Sequence, residues 1–410
     1  MDIARLLAIN ALIRVASAGS GQLFAFLVAE RVAGRTAVGA LLVGTLGAAF
    51  FATELLGAPF AGRLADKYGQ RRVLKAGPVF GIVSATVAAA VAIGAHGLLL
   101  LAGILFLARL NEGASAACTV PTTLTLISRG TEGDARRRTR LMGAFEITSL
   151  LGMISGYLIV GVAWDSLGAS AFLLLPPFYG LAWYLVGTPE TPDPEMRRDP
   201  PAVFSTLRLV AGQPGAVGFG VAWLAVNGVV GLWIQQAPFL LSLPERSARQ
   251  ALVGGFSGQQ IGIAFAAWGL AFLLGIGLWS WLAPGWPRRR TMAVALVGMI
   301  GVVSALAVVN HGGPGLFLWL GVAFVLVESG FTPAAFAHLA ELTSPLDATR
   351  GTALGLYSVL LGAGQLFGNL LGGVFSARWQ MDGVLLLTAL LAVIAFLGVM
   401  KSEETVPHHP

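Results

Sequence analysis

The chain has 410 residues, of which 56% are hydrophobic and only 11% charged, against about a quarter charged in an ordinary soluble domain. With a mean hydropathy of +0.78, that balance excludes a water-soluble enzyme or binding domain and predicts an all-α polytopic membrane protein. The formal charge of +6 follows the loops rather than a nucleic-acid-binding patch, and the single cysteine, Cys118, excludes a disulfide framework or a cysteine metal cluster.

A membrane-spanning helix needs about 20 apolar residues. Twelve such runs stand near 7–29, 37–60, 73–95, 97–120, 141–163, 169–187, 215–241, 256–283, 291–310, 314–338, 351–375 and 383–400. They divide the chain into a six-helix bundle over 1–187, a proline-rich charged linker over 188–210, a second six-helix bundle over 211–401 and a tail over 402–410. The first run has no small-residue cleavage site and carries Arg14, which marks a retained helix. With loops assigned alternately, Arg31, Arg35, Arg246, Arg249 and Arg378 fall on one side, Arg14 and Arg109 lie within runs, and the other nineteen basic residues share the opposite side. By the positive-inside rule both termini are cytoplasmic, in the inner (plasma) membrane of a cell.

Charge inside the runs is the main functional signal, because an ionisable residue in hydrocarbon usually faces a bundle interior or a wet pathway. Run 1 holds Arg14 and Gln22, run 2 Glu54, run 4 Arg109 and Glu112, run 5 Glu146, and run 10 Glu328. Two arginines against three glutamates leave one surplus acid in the first half. Burial favours a neutral carboxyl and a nearby arginine favours a charged one, so this cluster suits a group that changes protonation as it meets water or lipid. Two interhelical salt bridges with one solvated carboxylate is the alternative, of equal weight for Glu54. Glu328 stands alone near mid-membrane, and His338, about 15 Å farther along the helix, is expected at the cytoplasmic surface. Gln22, Asn227, Glu328, Tyr357, Gln365 and Asn369 are the candidate lining of a substrate cavity; Gln235 and Gln236 join Asn227 on run 7.

An offset of 212 pairs Pro121 with Pro333, Arg138 with Arg350, Gly143 with Gly355, Gly152 with Gly364, and Gly156 with Gly368. One constant spacing across five special residues marks a duplicated half. Repeated halves with sites at their interface are how many membrane transporters are built. Gly113, Gly143, Gly152, Gly156, Gly355, Gly364 and Gly368 are expected to serve close helix packing.

Three stretches carry a family resemblance. Gly62-Arg-Leu-Ala-Asp66-Lys-Tyr-Gly69-Gln-Arg71-Arg72 resembles the G-x-L-A-D-[RK]-x-G-[RK]-[RK]-[RK] signature between helices 2 and 3 of the major facilitator superfamily, departing only at Gln70. Leu105-x-x-x-Arg109-x-x-Glu112-Gly113-x-Ser115-x-Ala117 looks like that family's helix 4 motif L-x-x-x-R-x-x-Q-G-x-G-x-A. Gly143-x8-Gly152-Met153-x-x-Gly156-Tyr157 is similar to the helix 5 antiporter motif G-x8-G-P-x-x-G-G, with Met153 for proline and Tyr157 for the last glycine. The resemblance implies two pseudo-symmetric six-helix bundles rocking about a central cavity. It implies gating by Gly62, Asp66, Gly69, Arg71 and Arg72, and proton coupling through Arg109, here grouped with Glu112, Glu146, Glu328, Arg14 and Glu54.

The expected function is therefore secondary active transport, most like the drug:proton antiporter branch: a proton-driven exporter of amphipathic or cationic organic molecules. The alternatives are a lipid or lysolipid translocator and a proton-coupled symporter or facilitator of a small organic solute. No nucleophile and base constellation or H-E-x-x-H site points to an enzyme, and no metal or cofactor is called for. The expected partners are a small-molecule substrate, protons and the lipid bilayer, for a monomer that binds no nucleic acid.

Overall fold

The computed structural model describes residues 2–32, 34–94, 97–131, 134–188, 212–283, 285–343 and 350–402. The linker over 188–210 lies outside them except for Thr188, as does the tail beyond Ser402. Every regular element among the described residues is helical: α1 (Ile3–Arg31), α2 (Thr36–Tyr68), α3 (Gln70–Gly94), α4 (Leu98–Arg129), α5 (Ala135–Leu167), a 3-10 segment (Gly168–Leu174), α6 (Leu175–Val186), α7 (Ala216–Leu241), α8 (Gly258–Leu282), α9 (Arg288–Gly312), α10 (Gly315–Glu328), α11 (Phe331–Thr343), α12 (Arg350–Trp379) and α13 (Met381–Lys401).

These thirteen helices make twelve crossings. The apolar segment Arg140–Val186 has 47 residues, about 70 Å as helix and too long for one passage through a hydrocarbon core of about 30 Å. It folds back at Gly168, whose φ of +53° suits a residue without Cβ. The return is fixed where Lys75, near the start of α3, donates 2.7 Å to the carbonyl of Gly187. Conversely, α10 and α11 lie in one apolar segment, Gly315–Leu339, interrupted at Ser329 and Gly330. Pro333 explains the interruption: it has no N–H for the carbonyl of Ser329, and its ring crowds that carbonyl. Beside the break the carbonyls of Leu326 and Val327 accept from Nε1 of Trp279 on α8, at 3.0 and 3.1 Å, the Ser329 hydroxyl donates to Leu326 as well, and the Gly330 N–H donates to Val327.

Two sequence expectations need correction here. The stretch from Gly62 to Arg72, which the apolar runs place between helices 2 and 3, is itself helical: α2 runs to Tyr68 and α3 begins at Gln70, leaving only Gly69 (φ +97°) as a joint. His338 is not at the surface; it is buried against Phe219, ring centroids 4.9 Å apart.

Crossings alternate between a basic end, holding Asp2, Gly69 and Lys401, and a distal end, holding Gly34, Gly168 and Gln380. Within the first half α5 packs on α1; within the second α12 packs on α7. Methyl groups at Gly152 and Gly156 would strike the α1 carbonyls of Ala11 and Val15, while those at Gly364 and Gly368 would strike the α7 carbonyls of Leu224 and Gly228. The same glycine spacing thus makes the same backbone contact twice.

Across the halves, α2 packs on α12 and α5 on α8, with α1 on α7. Glycine again sets the approach: Gly44 meets Gly373 and the carbonyl of Asn369, and Gly161 meets the carbonyl of Gly258. Asp165, at the end of α5, accepts from the backbone N–H groups of Gly258 and Gln259 at 2.7 and 2.8 Å, and Ser257 takes that of Gln260. With Oε1 of Gln260 taking the N–H of Ser257 in return, all four N–H groups a helix start leaves open are filled, two of them by a carboxylate of the other half. This seam closes the distal part of the bundle.

Candidate functional site

Arg109 and Glu112 stand one turn apart on α4, only 2% and 1% exposed, with Nη1 of the arginine 2.7 Å from Oε2 of the glutamate. The same oxygen accepts from the Ser20 hydroxyl at 2.9 Å, and Oε1 accepts from the Tyr179 hydroxyl at 3.1 Å. Nε of Arg109 reaches the carbonyl of Leu46 at 3.4 Å, and the rings of Phe50 and Phe24 face the guanidinium at 4.6 and 5.4 Å. Helices α1, α2, α4 and α6 therefore converge on one neutral pair. A carboxylate with three donors is satisfied as an anion, and removing either partner would leave an uncompensated buried charge, a loss of about 3–5 kcal/mol.

The pair borders a narrow cleft of about 10 Å³, room for about one water, lined by Asn10, Arg14, Ser17, Glu112, Ser115, Thr119, Thr123 and Tyr179 among its polar side chains. Its lining descends α1 and α4 from mid-bundle toward the basic end. Arg14 is the opposite charge nearest in effect to both Glu54 and Glu146, with no direct ion pair to either among the described residues. Glu54 is half-buried and Glu146 exposed. Arg14 and Glu146 are each eleven residues, about 16 Å, from the start of their helices, because α1 and α5 begin before the apolar runs do.

The remaining candidates are scattered. Glu328 ends α10 at the break, half-buried, with no hydrogen bond or ion pair among the described residues. Asn227 bonds to the carbonyl of Trp223 in its own helix. Gln22 and Asn369 are wholly buried toward the distal seam, Gln365 is half-buried with its backbone against Gly231, and the side chain of Tyr357 lies outside the described residues. None of the other five is among the residues that line the cleft. At the basic end, Asp66 accepts from Nε2 of Gln70 at 3.4 Å, so the one departure from the family signature is a residue that bonds its aspartate. Arg71 is half-buried and Arg72 exposed, while Gly62 and Gly143 have open space where a Cβ would be. Gly113 lies against the carbonyl of Phe50.

Sequence reasoning missed Tyr179, Ser20 and Asp165. Tyr179 and Ser20 act through a partner far along the chain, and Asp165 looks like an ordinary loop acid near a helix end; no local pattern marks any of them.

Twelve apolar crossings, a duplicated half and a buried ion pair beside a polar cleft define a polytopic membrane carrier. The sequence profile of the major facilitator superfamily matches residues 11–253 and again 239–410, and the chain belongs to that family of transporters. Among curated proteins, no sequence matches the chain. Solved structures share the fold. The D323A mutant of the nucleoside transporter NupG superposes with a TM-score of 0.73 at 16% identity, over 97% of this chain and 99% of that one. A D-xylose-proton symporter superposes with a TM-score of 0.72 at 16% identity, over 96% of each chain.

Proposed function

We propose that the chain is a proton-coupled carrier of a small polar organic solute, in which segments 1–187 and 211–401 rock against each other about the distal seam. The observation that carries this reading is the Arg109–Glu112 pair at the edge of a cleft lined by hydroxyl and amide groups. Glu112 is the proton acceptor: when it is protonated, Arg109 loses its partner and turns to the cleft and to Arg14's acids, and the solute occupies the space made. Glu54 and Glu146 beside Arg14 form a second acidic pair at the wet side. The basic end faces the cytoplasm, Asp66 and its neighbours latch that end, and the protein works as a monomer in the inner (plasma) membrane. A nucleoside transporter and a sugar-proton symporter as structural neighbours fit an uncharged polar cargo.

Export in exchange for protons is the second reading, favoured by the helix 4 motif. The helix 5 glycines lend it less, since their spacing recurs on α12 with the same packing use.

The test uses purified protein in liposomes with an internal pH dye. Pentoses, nucleosides and lipophilic cations are added outside in turn. Symport predicts internal acidification with an uncharged solute, lost in Glu112→Gln; alkalinisation with a cation would establish exchange instead. No pH change with any compound would remove proton coupling.

A further inference from the structure

The connection between α8 and α9 holds the place in the second half that the Gly69 joint holds in the first, and the two are built differently. The first half carries Asp66 among its basic residues and ties it to Gln70. In the second, the stretch from Leu278 to Arg290 reads LWSWLAPGWPRRR, with three arginines, three tryptophans and no acid.

A cavity of about 170 Å³ lies against this connection, far roomier than the central cleft. Its polar lining is Ser280, Arg288 and Thr291, its apolar wall Trp279, Pro333 and Ala334. Every lining residue belongs to the second half, so the cavity lies apart from the seam between the halves. Trp279, already held by the carbonyls at the break, packs edge-on against Trp286 with ring centroids 5.9 Å apart. Trp286 in turn carries the guanidinium of the exposed Arg290 over its ring at 4.6 Å. Arg289 is drawn aside to the carbonyl of Met400 at 2.6 Å. Arg288 and Arg290 therefore stand at the cavity, one in its lining and one on its aromatic rim. Beside it, Leu274, Leu278, Trp281 and Leu282 are all exposed, Trp281 by 76%. Their spacings of four, three and one put them on one face of α8.

We propose that this cavity binds the headgroup of an anionic phospholipid, its phosphate between Arg288 and Arg290 and its acyl chains along the leucine face of α8. A guanidinium offers phosphate two parallel N–H donors. The Thr291 hydroxyl can add a third, because its present bond to the carbonyl of Pro287 is a long 3.4 Å. Indoles favour the level where chains meet headgroups, and basic pockets between spanning helices suit anionic headgroups. A free phosphate ion has no use for the leucine face, so the surroundings select a lipid. With Pro333 and Ala334 as its far wall, the bound headgroup joins α8 and α9 to α11, next to the break at Glu328.

The experiment measures binding of tritiated dioleoylphosphatidylglycerol to full-length protein held on scintillation beads in detergent. Unlabelled phosphatidylglycerol displaces the tracer at a concentration at least fivefold below that of phosphatidylcholine with the same chains, and inorganic phosphate in about a hundredfold excess does not displace it. Arg288→Gln with Arg290→Gln lowers binding at least fivefold. Arg5→Gln with Arg63→Gln, exposed arginines elsewhere at the basic end, leaves it unchanged. Equal competition by the two lipids, or equal loss in the two arginine pairs, overturns the site in favour of general attraction to a basic surface. Displacement by inorganic phosphate overturns the lipid as occupant and assigns a soluble anion. Ser280→Trp guards against a misfolded arginine variant: it keeps every charge, fills the exposed mouth of the cavity and lowers binding about fivefold, and unchanged binding there overturns the cavity as the site.

Discussion

Pro121 in α4 and Pro333 in the matching segment of the second half lie 212 residues apart, yet α4 continues through its proline whereas the other segment parts into α10 and α11. A proline removes one hydrogen bond in either case, so the neighbours decide the outcome. Where the second half has Ser329 and Gly330, α4 has Ala117 and Cys118. Gly330 lets the Trp279 indole close in, and the indole N–H donates to the carbonyls of Leu326 and Val327 beside the break. On α4 the hydroxyls of Thr119 and Thr122 bond back to their own helix. One segment is a platform for an ion pair; its counterpart is a jointed rod with Glu328 at the joint.

Four substitutions can break or sharpen that contrast. Arg109→Ala strikes the platform hardest: it strands Glu112, lowers stability by about 3–5 kcal/mol and reduces gradient-driven accumulation at least a hundredfold. Thermal unfolding in detergent and uphill uptake in liposomes measure both, and uptake within threefold of the parent protein would sink the assignment. Trp279→Phe comes next. It keeps an aromatic ring but withdraws the N–H from Leu326 and Val327, a loss of about 1–3 kcal/mol that lowers Tm and changes the angle between α10 and α11. Spin labels on the two helices would report it, and an unmoved distance distribution would show that the indole does not hold the joint. Pro121→Ala has the smallest effect, leaving Tm and uptake nearly unchanged because α4 is already continuous, whereas Pro333→Ala moves both. A larger effect at 121 than at 333 would reverse the comparison.

Much of the architecture was readable because membrane segments are set by hydropathy and the repeat by glycine and proline spacing. The break beside Glu328 was not, although Pro333 was in view, since a proline alone does not say whether a tryptophan from another helix will take the freed carbonyls. The joint at Gly69 was hidden by composition: α2 carries its charged residues past the apolar boundary while staying helical, so the fall in hydropathy after residue 60 does not mark the helix end. At the ion pair, Arg109 and Glu112 announced themselves by their cost in hydrocarbon. Ser20 and Tyr179, which complete the coordination of Glu112, carry no such penalty and blend into apolar runs.

The seam's use of glycine bears on how fast the protein can work. Where Gly44 meets Gly373 and Gly161 meets Gly258, main chain touches main chain and there are no long side chains to bring to order. Fixing a flexible side chain takes up to about 2 kcal/mol of rotamer freedom, and this contact forgoes that penalty each time it forms. In the proposed rocking cycle the distal end would then close and part with few side chains to re-order at these crossings.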